Sequence, residues 1–459
     1  MKRYKIIALL LSVFALITSC NNDGDIVPTN EISATTPKAN SNMRSYSEAL
    51  EIAQNAISIL DKNAQQTRSS SGRSVDLNEK AIAICAGNRM TRSSESNSND
   101  TLMYVFNYKD NNGFAVVAAD KGTEGLIAVI ESGHYDPSDT TDTGFRRYMT
   151  AAKYYILANQ VKTKTVSDRA PKGFYFEFDT IGVVNIPPRI TVKWGPRGHE
   201  GHFCPNFLAG CTNITAAIIM SYFEFPSYIF LTYDGNPPYL MRTLNWSGMK
   251  SYINRYENQS PSFSHHNPDT CTNVDHISIS HLCRELGHKA ESNYSFNPLQ
   301  TDGSIAKTQH VLYEYGYTVS DVTSYQYLAN TDTIKNNLSD GKLIFMSGLN
   351  SSGDGHSWAI DGYYGFVVHS QYYEYGFTNG MPDPAILMDE QYITHRYNHI
   401  NWGVYGLNNG FFADGVFSFY GVAYSHDGGV GYVVFSSNDY EIEMHNFAYN
   451  LKFITVYKD

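Results

Sequence analysis

Apolar residues are distributed unevenly over the 459 positions, and their spacing changes character several times along the chain. An uncharged apolar run from Ile6 to Ile17 follows Lys2, Arg3 and Lys5. It is too short to cross a membrane as a helix and has the two-part form of an export signal. Asn21 to Ser45 is polar and rich in Asn, Ser, Thr and Pro, so it lacks the apolar surface to order itself and reads as a flexible tether. From Ser47 to Leu60 the spacing is helical, with Leu50, Ala53, Ile57 and Leu60 on one face. After a Ser- and Arg-rich break at Gln65 to Asp76, strand-like runs follow at Leu102 to Tyr108, Phe114 to Ala119 and Leu126 to Ile130, the first two separated by a turn at Asp110 to Gly113. Helical spacing returns over Phe145 to Val161, and the polar, basic stretch Thr163 to Pro171 reads as an exposed linker.

Beyond it, Trp194 to Asp459 has helical segments early and many short aromatic strands with Gly turns late, with Val430 to Ser436 and Asn446 to Tyr457 expected to close a sheet. At about 150 residues per domain the length predicts two or three domains. The pattern predicts an α+β protein in four segments: 1–20, the export signal; 21–45, the tether; 46–170, a small α+β module; and 171–459, a larger α+β domain.

The net charge of -11 comes without a basic stripe, which argues against nucleic acid as a partner. With 35 Tyr and 24 Phe the chain has ample material for a β-rich core. Its six cysteines include no C-x-x-C pair, so each is judged singly; Cys271 and Cys283 could be bridged but are expected to be unpaired.

Cys211 stands after Gly210 at the start of a helical run in which Ile214, Ala217, Ile218 and Tyr222 share a face. At a helix N-terminus the unpaired N–H groups and the macrodipole favour a thiolate and can meet a developing oxyanion. His356 is flanked by Gly355 and enters an alternating strand with Trp358 and Ile360, which would hold an accessible ring rigidly, as a general base requires. In Asn401-Trp402-Gly403 the amide could orient the imidazole and the indole could shield it from water. Asp361 falls on the other side of its strand from His356 and is the weaker partner. His199, Glu200, His202 and Cys204 invite a zinc reading, but Gly201 opposes a helix and the spacing is wrong. That loop is expected to line a cleft, His265-His266 to lie in solvent, and Tyr363 to Tyr375 to pack as a strand.

From about Trp194 to near Phe412 the chain resembles the streptopain family of papain-fold cysteine peptidases. The matching pieces are Cys204-Pro205, the Gly-Cys helix through Tyr222 with Phe225-Pro226, Leu244-Asn245-Trp246, Leu282 to Gly287, Tyr315-Gly316-Tyr317, the strand Gly355 to Gly362, Asn401-Trp402-Gly403 and Asn409 to Phe412. Asn112 to Asp120 is similar to a signature strand of that family's inhibitory propeptide. The resemblance implies a papain-like domain at 171–459 behind a propeptide at 46–170, with Cys211 as nucleophile, His356 as base, Asn401 as orienter and Trp402 as shield. It implies protein or peptide substrates, the chain's own propeptide as inhibitor, and no cofactor or metal. Two departures stand out: Pro196, without a donor, lies where the family carries an oxyanion-binding Gln, and Thr212-Asn213 follows the nucleophile where small apolar residues are usual. Leu16 to Cys20 resembles the lipobox of bacterial lipoproteins, which implies acylation of Cys20 and an exported protein tethered to the outer membrane or cell surface. The alternatives are a catalytically impaired surface lipoprotein that uses the fold to bind proteins, and an amidase or transpeptidase using the same thiol.

Overall fold

The computed structural model describes residues 43–64, 72–85, 90–92, 101–139, 143–163, 174–198, 200–233, 235, 239–251, 274–326, 329–349, 355–375, 377–378, 381–382, 384–416 and 449–458. The export signal, Cys20, the tether, nearly all of the linker at 163–171, His199, His265-His266, Cys271 and Val430 to Ser436 lie outside the described residues.

The N-terminal module starts with helix α1 (Tyr46–Ala64). A capping box opens it: the Glu48 N–H donates to Ser45 Oγ at 3.2 Å, and the Ser45 N–H donates to Glu48 Oε2 at 2.6 Å. The buried face runs through Ala49, Ala53, Ala56, Ile59 and Leu60, with Leu50 and Ile57 only half-buried. This differs from the expected stripe because small alanines let the helix lie close on the sheet while the larger side chains reach round its flanks. That sheet is antiparallel and consists of β1 (Ile82–Cys85), β2 (Met90–Arg92), β3 (Thr101–Asn107), β4 (Phe114–Ala118) and β5 (Leu126–Ile130). Helix α2 (Thr143–Thr163) packs across it and buries Tyr148, whose hydroxyl donates to the Ile127 carbonyl at 2.8 Å. The runs expected as strands are strands, and their aliphatic residues are buried on both faces because helices cover them.

In the larger domain, β6 (Phe174–Ile186) leads to α3 (Cys211–Phe223), a hairpin of β7 (Asn293–Phe296) and β8 (Leu299–Asp302), and helices α4 (Val274–Lys289), α5 (Ile305–Glu314) and α6 (Thr331–Ser339). The late strands are β9 (Leu343–Leu349), β10 (Gly355–Glu374), β11 (Ile386–Asn401), β12 (Gly410–Ala413) and β13 (Tyr449–Tyr457). Two of them are not short: β10 has 20 residues and β11 has 16. The aromatic alternation continues past Tyr363 because β6, which the hydropathy pattern did not single out, takes over as the neighbour of β10 where β9 ends. Helix α3 is buried from Thr212 through Ser221 and not along one face, because β9 and β10 cover one side and α4 and α5 the other.

All described residues belong to one compact unit, Ser41–Asp459, and among them thirteen strands form a single sheet that runs through both domains. The joint is β5 on β12, with Ile130 opposite Gly410, Val129 opposite Phe411 and Ala128 opposite Phe412. The N-terminal module thus adds its sheet edge to edge onto that of the larger domain. One apolar cluster continues across the joint, from Tyr104, Phe114 and Tyr148 to Trp358, Trp402 and Phe412. A second fills the space on the α3 side of the sheet.

Candidate active site

Gly210 precedes α3 with φ +87°, a conformation that favours glycine, and turns the chain so that Cys211 is the first helical residue. Thr301 stands so close that a Cβ on residue 210 would lie 2.9 Å from its Cβ. The Cys211 thiol therefore sits where the free N–H groups of α3 converge. Burial raises its pKa, but the His356 ring, the Ser357 backbone N–H and the Thr212 hydroxyl outweigh burial and bring it down from 9.0 to about 7.

His356 lies at the start of β10, opposite Gly348 of β9, which puts its ring at the α3 end of the sheet. Its Nε2 is 3.0 Å from the Trp402 carbonyl oxygen. A carbonyl oxygen only accepts, so in the neutral ring Nε2 carries the proton and Nδ1 holds the lone pair. Trp358 stacks beside the ring at 6.3 Å between centroids, and Trp402 lies tilted against it at 6.0 Å. These indoles keep the imidazole almost wholly buried.

The amide of Asn401 does a different job from the one expected. Its Oδ1 accepts from the Gly403 N–H at 3.0 Å, while Asn409 Oδ1 accepts from the Trp402 N–H at 3.1 Å and the Trp402 indole N–H donates to the Asn408 carbonyl at 3.1 Å. These bonds shape the turn after β11 and aim the Trp402 carbonyl at His356. A backbone carbonyl has no residue signature, so nothing in the sequence pointed to it.

Around the expected oxyanion position, the Gly195 N–H donates to Glu200 Oε1 at 3.3 Å, the Pro196 carbonyl accepts from Ala209 N–H at 2.7 Å, and the Arg197 N–H donates to the Tyr405 hydroxyl at 2.9 Å. The amides on either side of Pro196 are therefore already committed. Glu200 is completely buried, and burial pushes its carboxyl up to about 8. Cys204, raised to about 12 by burial, sits in the apolar core around α3, and Cys283, likewise buried, is a free thiol. The two residues after the nucleophile both have polar partners: Thr212 Oγ1 lies 3.2 Å from Ser357 Oγ, and Asn213 Nδ2 donates to the Ala209 carbonyl at 2.8 Å.

The N-terminal module reaches this site. At the start of α2, a Cβ on Gly144 would lie 2.7 Å from His356 Cδ2 and 2.6 Å from Trp402 Cε3, so the glycine backbone rests on the ring edge. Either side of β5, Glu124 accepts at 2.6 Å from His395 Nδ1 and at 2.5 Å from the Tyr397 hydroxyl, and Glu131 lies 3.5 Å from His399 Nε2. His399 Nδ1 is 2.6 Å from Asp361, a buried carboxylate that also accepts from the N–H groups of Arg189 and Ile190. Asp361 faces His399 because the β10–β11 pairing slips by one residue there. Burial lowers the pKa of His399, but Asp361 and Glu131 outweigh it and raise the pKa to about 10.

Comparison with known proteins finds a family match in each domain. Residues 39–156 match the Spi protease inhibitor family, and residues 197–412 match the Peptidase C10 family. Streptopain of Streptococcus pyogenes is 22% identical over 387 residues, covering 77% of this chain and 85% of that protein. Among solved structures, a fragment of Prevotella intermedia prointerpain A is 17% identical and covers 77% of this chain and 94% of that one, with a TM-score of 0.45. Active interpain A of the same organism is 14% identical and covers 59% and 94%, with a TM-score of 0.35. An inhibitor-type domain followed by a C10 domain in one chain supports a streptopain-like, papain-fold cysteine peptidase.

Proposed function

We propose that the chain is an exported cysteine endopeptidase made as a latent precursor, with Cys211 as nucleophile and His356 as base. The observation that carries this reading is a thiol at a helix N-terminus against an imidazole whose far nitrogen is held by the Trp402 carbonyl. In the reaction, His356 Nδ1 takes the thiol proton and the thiolate attacks the scissile carbonyl carbon. The oxyanion forms against the Cys211 N–H, and His356 returns the proton to the leaving amine as the C–N bond breaks. Water, deprotonated by the same nitrogen, then attacks the thioester, and Cys211 leaves as the thiol. Trp402 supplies both the carbonyl that fixes the tautomer and the indole that keeps water off the ring.

Latency comes from the module at 46–170, which lies edge to edge with β12 and seats Gly144 on His356. Cutting within 163–171 would free the domain at 171–459. Cys20 is the site of lipid attachment, and the precursor is held at the outer membrane or cell surface. Protein or peptide substrates enter where the module sits.

A thiol-directed peptide electrophile tests the core of this reading. It should label Cys211 in chain cut near residue 170, label uncut chain slowly, and fail with Cys211→Ala. Absence of labelling in the cut protein would exclude the peptidase role. Cys20→Ser should move the precursor out of the membrane fraction, and unchanged fractionation would remove the lipoprotein claim. Pro196 favours a second reading, a binding module with impaired catalysis, which predicts thiol labelling without peptide turnover.

A further inference from the structure

Each member of the candidate dyad is followed by a hydroxyl residue, Thr212 after Cys211 and Ser357 after His356, and the two hydroxyl oxygens are 3.2 Å apart. The pairing joins the first turn of α3 to β10, the two elements that carry the nucleophile and the base. Both side chains are almost completely buried. Thr212 is also held in place from the hairpin side: a Cβ on Gly303 would come within 2.6 to 2.8 Å of Thr212 Cβ, Oγ1 and Cγ2, so only glycine at 303 lets the threonine keep its rotamer.

We propose that Thr212 and Ser357 form a hydroxyl bridge that positions the Cys211–His356 pair, with Thr212 donating a hydrogen bond to the sulfur in its thiolate form. The inference rests on the cysteine peptidase reading and explains the polar residue that follows the nucleophile. A hydroxyl has one proton and two lone pairs. When Ser357 donates to Thr212 Oγ1, the threonine proton is left for the sulfur, whose charged form the Ser357 backbone N–H also favours. The bond is stronger to a thiolate than to a thiol, so the bridge favours the charged form. The titratable group facing the sulfur from β10 is His356. The hairpin brings Thr301 and Gly303, with the Asp302 carboxylate engaged by Gln300 Nε2 at 3.1 Å, and α2 brings Gly144. Thr212 and Ser357 are positioning residues and neither touches the scissile bond.

The pH dependence of Cys211 alkylation by iodoacetamide, read by mass on the Cys211 peptide of the full chain, tests the bridge without requiring turnover. Thr212→Val preserves shape and packing against Gly303 but removes the donor. It should move the alkylation midpoint up by roughly one pH unit. Its high-pH plateau should rise by up to about threefold, because a thiolate relieved of a hydrogen bond is more nucleophilic. Thr212→Ser should return the midpoint to the wild-type value, and Ser357→Ala should shift it in the same direction as Thr212→Val by a smaller amount. Packing damage alone would instead lower the plateau and would not be repaired by serine. Superimposable midpoints for wild type, Thr212→Val and Ser357→Ala, beside a raised midpoint in His356→Ala, would overturn the bridge and leave the dyad standing. A wild-type midpoint of an ordinary thiol, unchanged in His356→Ala, would overturn the dyad and the bridge together.

Discussion

Gly144 of the N-terminal module and His356 of the peptidase domain are packed so closely that a Cβ on residue 144 would lie 2.9 Å from His356 Nε2. A larger side chain cannot fit without moving α2 or the ring. Gly144→Leu should weaken docking of the module by about 1–3 kcal/mol, the usual cost of overpacking. Labelling of uncut chain by a peptide electrophile should accelerate by roughly tenfold or more. Labelling as slow as wild type would show that the contact does not control access.

The His399 site predicts how stability depends on pH. Its folded pKa of about 10 lies above the ordinary 6.5, so its stabilising contribution is complete below about 6.5 and is lost as pH rises through about 10. Glu131 is shifted the other way: burial raises its pKa, but His399 outweighs this and lowers it below 4.5, so its contribution is lost as pH falls through that lowered value. The full chain should therefore melt at its highest temperature between about pH 4.5 and 6.5 and lose stability steadily from there towards pH 10. Glu131→Gln should begin that alkaline loss at lower pH, since Asp361 alone then holds the proton on His399. Identical melting curves for the variant from pH 7 to 10.5 would show that Glu131 has no part in it.

Asn401 supports the turn that aims the Trp402 carbonyl, its Oδ1 accepting from the Gly403 N–H at 3.0 Å. Asn401→Ala should cost about 1 kcal/mol of stability and reduce kcat by about tenfold, while the pH profile keeps its shape. A drop of about 10⁴, the scale of losing the residue that fixes a catalytic tautomer, would assign the orienting role to the Asn401 side chain itself.

The Gly195 and Arg197 amides beside Pro196 are engaged elsewhere, so in the proposed reaction the Cys211 N–H is the main donor to the oxyanion. Pro196→Gln should raise kcat of the cut protein by up to about 10², with labelling of Cys211 nearly unchanged. A sharp loss of turnover in His199→Ala with no gain in Pro196→Gln would show that the imidazole supplies the donor.

Residue types and spacing determined the local features of this protein. The strands at 114–118 and 126–130, the α2 segment and the start of α3 at Cys211 follow from periodicity and from a glycine before a helical run, which are properties of neighbouring residues. Cys211, His356 and Trp402 could be picked out as candidates because a thiol, an imidazole and an indole carry their chemistry in their side chains. Tertiary structure decided the rest. The β6–β10 and β5–β12 pairings depend on register between segments far apart in sequence, and strand-like composition does not say which edge meets which. The Trp402 carbonyl, the close fit of Gly144 on His356 and the alignment of Glu131, His399 and Asp361 arise only when those pairings bring groups together. A backbone oxygen or a missing side chain leaves no mark in composition, and a buried carboxylate reads like any other acid until its neighbours are known.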